Sequence, residues 1–460
     1  MTQLLLKKKL LNFSILSPIL FAFLVLFTGN VNFPNATIES FKYIEIAKFW
    51  IDESSTSWPI ESILQRLPLY PLFIYLNFKI FGFNNLVALL FFQSFLGSLT
   101  IFLTIKILKT LKLDHNIIVI LSILFNLHIF YRFSVFLPNA FFLFFVTVFI
   151  YFFTNFYFLR DKKSFFYLSL CIPLLLLIRP LFQLSIVLVI PLIIFFILKK
   201  TNFSRFSKLI FSFFLVLTYL IGMSVQVARN YAEYGKLTYT SQTGDHSNSL
   251  VTAFSITEKS GCGDMDAEMM KEIVHIFEME KGKLNMEDKN NMAILDGIRL
   301  DISKKILTER LEKKEILYSI FCGYFKTLFH PSFSAIYQAF GMKLEGFSTI
   351  NGEDFLEKIE NFFKISFKNL QNFSWLFSLI LLFFMRIIQL YGLIYAMFFS
   401  NLKYYFLCIF SIFLTIFIPA IGMSSLRFRT EIETLLLIFG AVGIVNLANL
   451  KIFKHKELGS

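Results

Sequence analysis

Residues 139–159 read NAFFLFFVTVFIYFFTNFYFL, a stretch without one Asp, Glu, Lys or Arg. A run of roughly 18 or more apolar residues makes a helix long enough to cross a hydrocarbon core of about 30 Å. This is the clearest of about ten such runs; the others lie near residues 10–29, 86–108, 116–137, 165–179, 180–198, 208–228, 373–399, 403–423 and 434–453. In chain order the fifth and sixth are short and meet at Arg179-Pro180. Proline cannot continue the preceding helix there, so a tight helical hairpin is expected. The predicted fold class is an all-α polytopic membrane protein.

Composition agrees with that reading. The 460 residues are 56% hydrophobic and only 16% charged, with a mean hydropathy of +0.66, far more apolar than a soluble domain of this length. Lys7, Lys8 and Lys9 precede the first run; Lys106, Lys109 and Lys112, then Arg160, Lys162 and Lys163, then Lys199, Lys200, Arg205 and Lys208 recur at every second crossing. Cytoplasmic loops are the ones enriched in Lys and Arg, so those ends are predicted to be cytoplasmic. Lys451, Lys454 and Lys456 fall on the same side, which puts both termini inside and loops 30–85 and 229–372 outside. The first run is basic and then apolar, like a signal peptide, but no small-residue cleavage site follows Gly29, and it is read as an uncleaved anchor.

The net charge of +13 reports topology and not nucleic-acid binding. From Arg229 to Gln371 there are 18 Lys and Arg against 21 Asp and Glu, so the long outer segment is not basic and the excess sits on the cytoplasmic ends. Three regions result: residues 1–228, a transmembrane module with the first outer loop 30–85; residues 229–372, a mostly helical extracytoplasmic domain; and residues 373–460, C-terminal transmembrane helices. Within the middle region, 264–282 and 288–318 carry helical spacing with dense charge. Ile316 to Leu328 then turns aromatic and apolar, the pattern of a helix lying along the interface.

Cysteine and histidine usage constrains little. Cys171 and Cys408 lie in apolar runs, whereas Cys262 and Cys322 both fall outside and either pair or stay apart. His246, His275 and His330 lack ligand spacing, and no cluster demands a metal. No P-loop, GxGxxG or internal repeat is present.

The chemistry concentrates in the first outer loop. It reads Glu39-Ser40-Phe41-Lys42-Tyr43-Ile44-Glu45-Ile46-Ala47, then Arg66-Leu67-Pro68-Leu69-Tyr70-Pro71 and an aromatic run ending at Gly82. Carboxylates and a cation at the level of lipid headgroups are what an enzyme acting on a lipid-linked phosphate requires. Glu39 is the first candidate base; Glu45 is either a structural carboxylate or the base in its place. Arg386 lies in the middle of an apolar run, where an unpaired charge is costly, so a partner or a water-filled cavity is expected.

Those residues resemble the first outer loop of the GT-C glycosyltransferases, in the group related to protein O-mannosyltransferases and lipid A aminoarabinose transferases. Members show an acidic residue, a Tyr four positions on and an Ala four beyond, then Arg-x-Pro-x-Tyr-Pro and an aromatic stretch closing on Phe-Gly. Glu39, Tyr43, Ala47, Arg66, Pro68, Tyr70, Pro71, Phe81 and Gly82 match at each spacing. Ile178-Arg179-Pro180 resembles the family's Leu-x-Arg-Pro turn, and Arg229-Asn230-Tyr231-x-x-Tyr234-Gly235 its Arg-Asn-Tyr-x-x-Phe-Gly element. Arg427-Phe428-Arg429 resembles its Arg-Tyr-Arg segment. Three departures stand out. Glu39 replaces the usual Asp, Asn139 sits where many members carry a carboxylate, and Glu431 and Thr434 replace expected prolines.

The resemblance implies a GT-C-like bundle with extracytoplasmic juxtamembrane helices, transferring a sugar with inversion from a polyprenyl-phosphate donor to a glycan, lipid or protein acceptor. Glu39 would take the proton of the acceptor hydroxyl, and arginines would hold the leaving phosphate, whose oxygens suit a planar guanidinium fork. Arg66, Arg179, Arg229, Arg427 and Arg429 are the candidate cations, with Tyr43 and Tyr70 lining the sugar pocket. A divalent-metal requirement stays open. The class implies a bacterial inner membrane with the active site facing outward. Two other readings remain on the sequence: a transporter or flippase for a lipid-linked sugar, which expects polar sites near the midplane, and a catalytically silent scaffold of the same fold.

Overall fold

The computed structural model describes residues 2–27, 38–52, 66–112, 136–234, 313–329, 370–418 and 426–457, together with isolated positions elsewhere. Among the described residues the regular structure is helical, with no strand. In chain order the helices are α1 (Thr2–Phe27), α2 (Ile38–Phe49), α3 (Leu69–Phe81), α4 (Leu86–Thr110), α5 (Pro138–Leu159), α6 (Lys162–Ile178), the single turn α7 (Ser185–Leu188), α8 (Ile190–Lys200), α9 (Arg205–Tyr234), α10 (Lys313–Phe329), α11 (Leu370–Phe398), α12 (Lys403–Phe417) and α13 (Leu426–Glu457).

Among the described residues, seven stretches are long and apolar enough to cross a membrane: Leu6–Phe27, Leu86–Thr110, Pro138–Leu159, Phe182–Lys200, Arg205–Ala232, Leu376–Phe398 and Thr430–Leu447. This is the pattern of a multi-pass membrane protein. Of the other three expected spans, 165–179 and 403–423 correspond to the shorter helices α6 and α12, of 17 and 15 residues. The span at 116–137 lies outside the described residues apart from Ile118, Phe133, Phe136 and Leu137. Most of the expected domain at 229–372 lies outside them too; its described helix, α10, covers the aromatic stretch of Ile316 to Leu328.

Local chemistry explains the helix boundaries. The α5–α6 connection is two residues long: Arg160 closes α5 in the left-handed region (φ 55°), and the Asp161 carboxylate accepts from the amides of Lys163 and Ser164 to cap α6, satisfying donors that a helix start leaves open. Asn85 caps α4 in the same way by accepting from the Ala88 amide. Gly82, at φ 103°, closes α3 in a conformation side chains rarely adopt. At the expected hairpin, α6 ends at Ile178, Arg179 is extended (φ −139°, ψ 127°), and Pro180 opens a 3₁₀ turn over Pro180–Leu184. The sixth expected span therefore is not one regular helix. It passes through that 3₁₀ turn and α7 before Pro191 starts α8 at its first turn, where a missing amide proton costs nothing.

Helix packing relies on close approach and on buried polar pairs. A Cβ on Gly392 of α11 would collide with the Phe439 carbonyl of α13, and one on Gly443 with the Ile388 carbonyl of α11, so the two backbones touch at that crossing. Gly222 of α9 fits likewise against Pro173 of α6, where a Cβ would come within 2.7 Å of the proline Cα. Small residues at such crossings let apolar helices gain van der Waals contact where no solvent drives them together. Along α5, Thr147 pairs with Thr434 of α13 at 3.0 Å and Thr154 with Tyr405 of α12 at 2.9 Å.

α13 holds the bundle together by charge. Glu431 meets Arg179, and Glu433 meets Arg386 of α11 at 2.8 Å; two residues apart, these carboxylates point to opposite sides of their helix. Arg386 also donates to Gln389 and, at 3.1 Å, to the Leu328 carbonyl near the C-terminus of α10, an end that favours a cation. The mid-span charge thus has a partner, and it ties α10, α11 and α13 into one unit. Cys322 of α10 is disulfide-bonded, Cys171 and Cys408 carry free thiols, and Cys262 lies outside the described residues.

Candidate functional site

One end of the bundle gathers polar side chains from sequence-distant elements. Arg66 stacks its guanidinium over the Tyr43 ring, 5.6 Å from the centroid. Tyr43 meets Tyr70 edge to face at 5.3 Å, and Tyr70 lies against Phe141, near the start of α5, at 5.6 Å. From α9, the Arg229 guanidinium donates to the Arg66 carbonyl at 2.7 Å. Four of the nominated residues, Tyr43, Arg66, Tyr70 and Arg229, therefore form one connected patch, although they come from α2, the entry to α3, α3 itself and α9.

The patch holds one open donor. Arg66 Nε is buried and has no hydrogen-bond partner among the described residues. A donor left in that condition costs about 1–3 kcal/mol, more when it is charged, and such groups call for an explanation. Tyr70 is fully buried and donates to Gln93 of α4 at 2.9 Å. Burial, with Tyr43 beside it, pushes the Tyr70 phenol well above its ordinary range, so it stays a protonated donor locked to Gln93. Its hydroxyl is a fixed part of the wall and not an acid.

A second cluster lies at the same end, two residues along α5 from Phe141. Asn139 donates to Glu431 at 2.6 Å, and Arg179 donates to the same carboxylate oxygen through Nε and Nη2 at 2.9 and 2.7 Å. Glu431 is completely buried. Arg179, expected on a phosphate, lies instead on this carboxylate and bridges the end of α6 to α13. Asn139, which occupies a position where a carboxylate was expected, is hydrogen-bonded to the carboxylate that α13 supplies.

The remaining nominations divide. Glu45 is nearly buried and forms an ion pair with Lys48 one turn on, at 2.9 Å, within α2. Glu39 belongs by its backbone to the first turn of α2, and Arg427 and Arg429 to the first turn of α13; their side chains lie outside the described residues.

Three site residues escaped the sequence reading: Glu431, Gln93 and Gln226. Glu431 stands beside an apolar run, where a carboxylate is itself a signal. Gln226 stands in an apolar stretch one turn before Arg229; it donates to Asn230 at 3.3 Å, and its own Oε1 is buried without a partner among the described residues. Comparison with protein-family models, with curated proteins and with solved structures finds no match to this chain.

Proposed function

We propose that the protein is an inverting glycosyltransferase of the GT-C kind, a bundle of about ten spans that transfers a sugar from a polyprenyl-phosphate donor to an acceptor at the polar end. The observation that carries this reading is the buried Nε–H of Arg66, without a hydrogen-bond partner among the described residues, in a side chain that lies over Tyr43 and belongs to a residue whose backbone carbonyl accepts from Arg229. A guanidinium fixed over one tyrosine, on a residue whose main chain is held by a second arginine, is pre-organised for phosphate oxygens whose charge grows as the glycosidic bond breaks. The tyrosine pair Tyr43 and Tyr70 supplies an aromatic wall for a sugar ring.

In this mechanism Glu39 takes the acceptor proton while the acceptor oxygen attacks the anomeric carbon from the face opposite the phosphate. The anomeric C–O bond breaks, and its electron pair stays on the lipid phosphate, held by Arg66 and Arg229. Glu45 is the poorer candidate of the two, because its carboxylate is already engaged by Lys48 within α2. Arg179 acts at one remove, fixing α6 to α13. The polar end faces outward in this reading: the basic connections lie at the opposite end, and the disulfide at Cys322 belongs to an oxidising compartment.

The test is transfer of label from a mixture of polyprenyl-phosphate sugars by the purified protein in lipid, with Glu39→Gln and Arg66→Gln beside wild type. Product only with wild type, with donor binding kept in Glu39→Gln and weakened in Arg66→Gln, supports the assignment. Full activity in Glu39→Gln removes that residue as the base. Donor binding and transmembrane flux without a new glycosidic bond would favour a flippase instead.

A further inference from the structure

The opposite end of the bundle carries a feature that sugar transfer does not use. Lys200, the last residue of α8, places its ammonium 4.5 Å from the centre of the Tyr404 ring, and Lys403, the first residue of α12, places its own 5.6 Å from the same centre. The two ammoniums cannot be further apart than the sum of those distances. Neither has a carboxylate partner or a hydrogen-bond acceptor among the described residues, and both are exposed. Neighbouring cations are engaged differently: Lys208 donates to the Leu198 carbonyl at 2.8 Å, and Arg160 covers Phe196 at 4.7 Å.

Two like charges on one ring repel each other, and the ring face attracts each only modestly. An anion between them would relieve the repulsion. The setting names the kind of anion: both lysines lie where apolar helices end, and Phe195, exposed on the last turns of α8, touches the Tyr404 ring at 6.0 Å. Phe398 and Phe399, at the end of α11 shortly before Lys403, are also strongly exposed. A cationic pair around one aromatic ring, next to exposed phenylalanines, fits a molecule with a phosphate head and acyl chains, and basic pockets between transmembrane helices bind such headgroups.

We propose that Lys200, Lys403 and Tyr404 form a headgroup site for an anionic phospholipid, at the end of the bundle opposite the arginine patch. The phosphate lies between the two ammoniums, and the chains run along Phe195 toward the membrane interior. The site is independent of what the other end catalyses.

The test uses the full-length protein in detergent, titrated with phosphatidylglycerol or phosphatidylcholine and read by native mass spectrometry. Wild type is expected to retain phosphatidylglycerol at least about tenfold better than phosphatidylcholine. K200Q/K403Q is expected to lose that preference, K200R/K403R to keep it, and K106Q/K109Q, with the same charge removed from another connection, to keep it too. Retention of the preference in K200Q/K403Q, or an equal loss in K106Q/K109Q, overturns the proposal. Equal competition by inorganic phosphate at the same concentration overturns the lipid as the occupant. Elution volume and melting temperature distinguish a folded variant that has lost the site from one that has not folded.

Discussion

Arg179 and Glu431, 252 residues apart in the chain, are joined by two hydrogen bonds to a single carboxylate oxygen, with the Glu431 side chain wholly out of solvent. Removing one member of such a pair leaves a buried charge uncompensated, whereas removing both leaves none. Arg179→Met and Glu431→Met alone are each expected to cost about 3–5 kcal/mol, read as a lowered melting temperature in detergent. The double variant should be markedly milder than the sum of the two. Additive losses would mean that the pair is not coupled.

The glycine crossing between α11 and α13 gives a prediction about size. Gly392→Ala must push a methyl group into the Phe439 carbonyl, so the helices have to separate, with a loss of about 1–3 kcal/mol from overpacking. Gly82→Ala meets nothing within 4 Å but is strained by its φ of 103°; its cost is about 1 kcal/mol. Thermal unfolding should rank the first below the second in stability.

Much of this architecture was legible from residue type alone. The uncharged run at 139–159 becomes α5, and Arg179-Pro180 becomes the break it predicted. The loop motif holding Tyr43, Arg66 and Tyr70 does form one patch, because Arg66 and Tyr70 flank the start of the same short helix. The partners of Arg179 and Arg386 were not legible. Which carboxylate answers a buried arginine depends on how distant helices rotate against one another, and α13 offers Glu431 and Glu433 within two residues.

The cap of α6 makes a third prediction. Hydrogen bonds from Ser164 and from the amides of Lys163 and Ser164 hold the Asp161 carboxyl below its usual range. Its folded pKa is depressed, so the stability it contributes is present above the unfolded-state pKa and is lost as pH falls through the folded value. Asp161→Ala is expected to cost about 1 kcal/mol at neutral pH, and the difference from wild type should vanish in acid. A gap that persists at low pH would mean that the carboxylate charge plays no part.

Tyr70→Phe and Tyr43→Phe separate wall from contact. Tyr70 loses a buried hydrogen bond to Gln93, so its variant should be less stable by about 1–3 kcal/mol. Tyr43→Phe retains the edge-to-face contact and the ring beneath Arg66 and should be nearly neutral in stability. If Tyr43 instead contacts sugar, its variant alone will raise KM for a lipid-linked donor, and parallel melting and transfer assays would resolve the two effects.

The placement of two carboxylates on opposite sides of α13 also bears on biogenesis. Acidic side chains oppose the entry of a span into lipid, and both carboxylates of α13, near the start of its apolar stretch, are answered by arginines that precede it in the chain. Membrane entry of α13 is thereby coupled to the formation of its two ion pairs, because the helix inserts most readily where Arg179 and Arg386 already stand to receive its carboxylates.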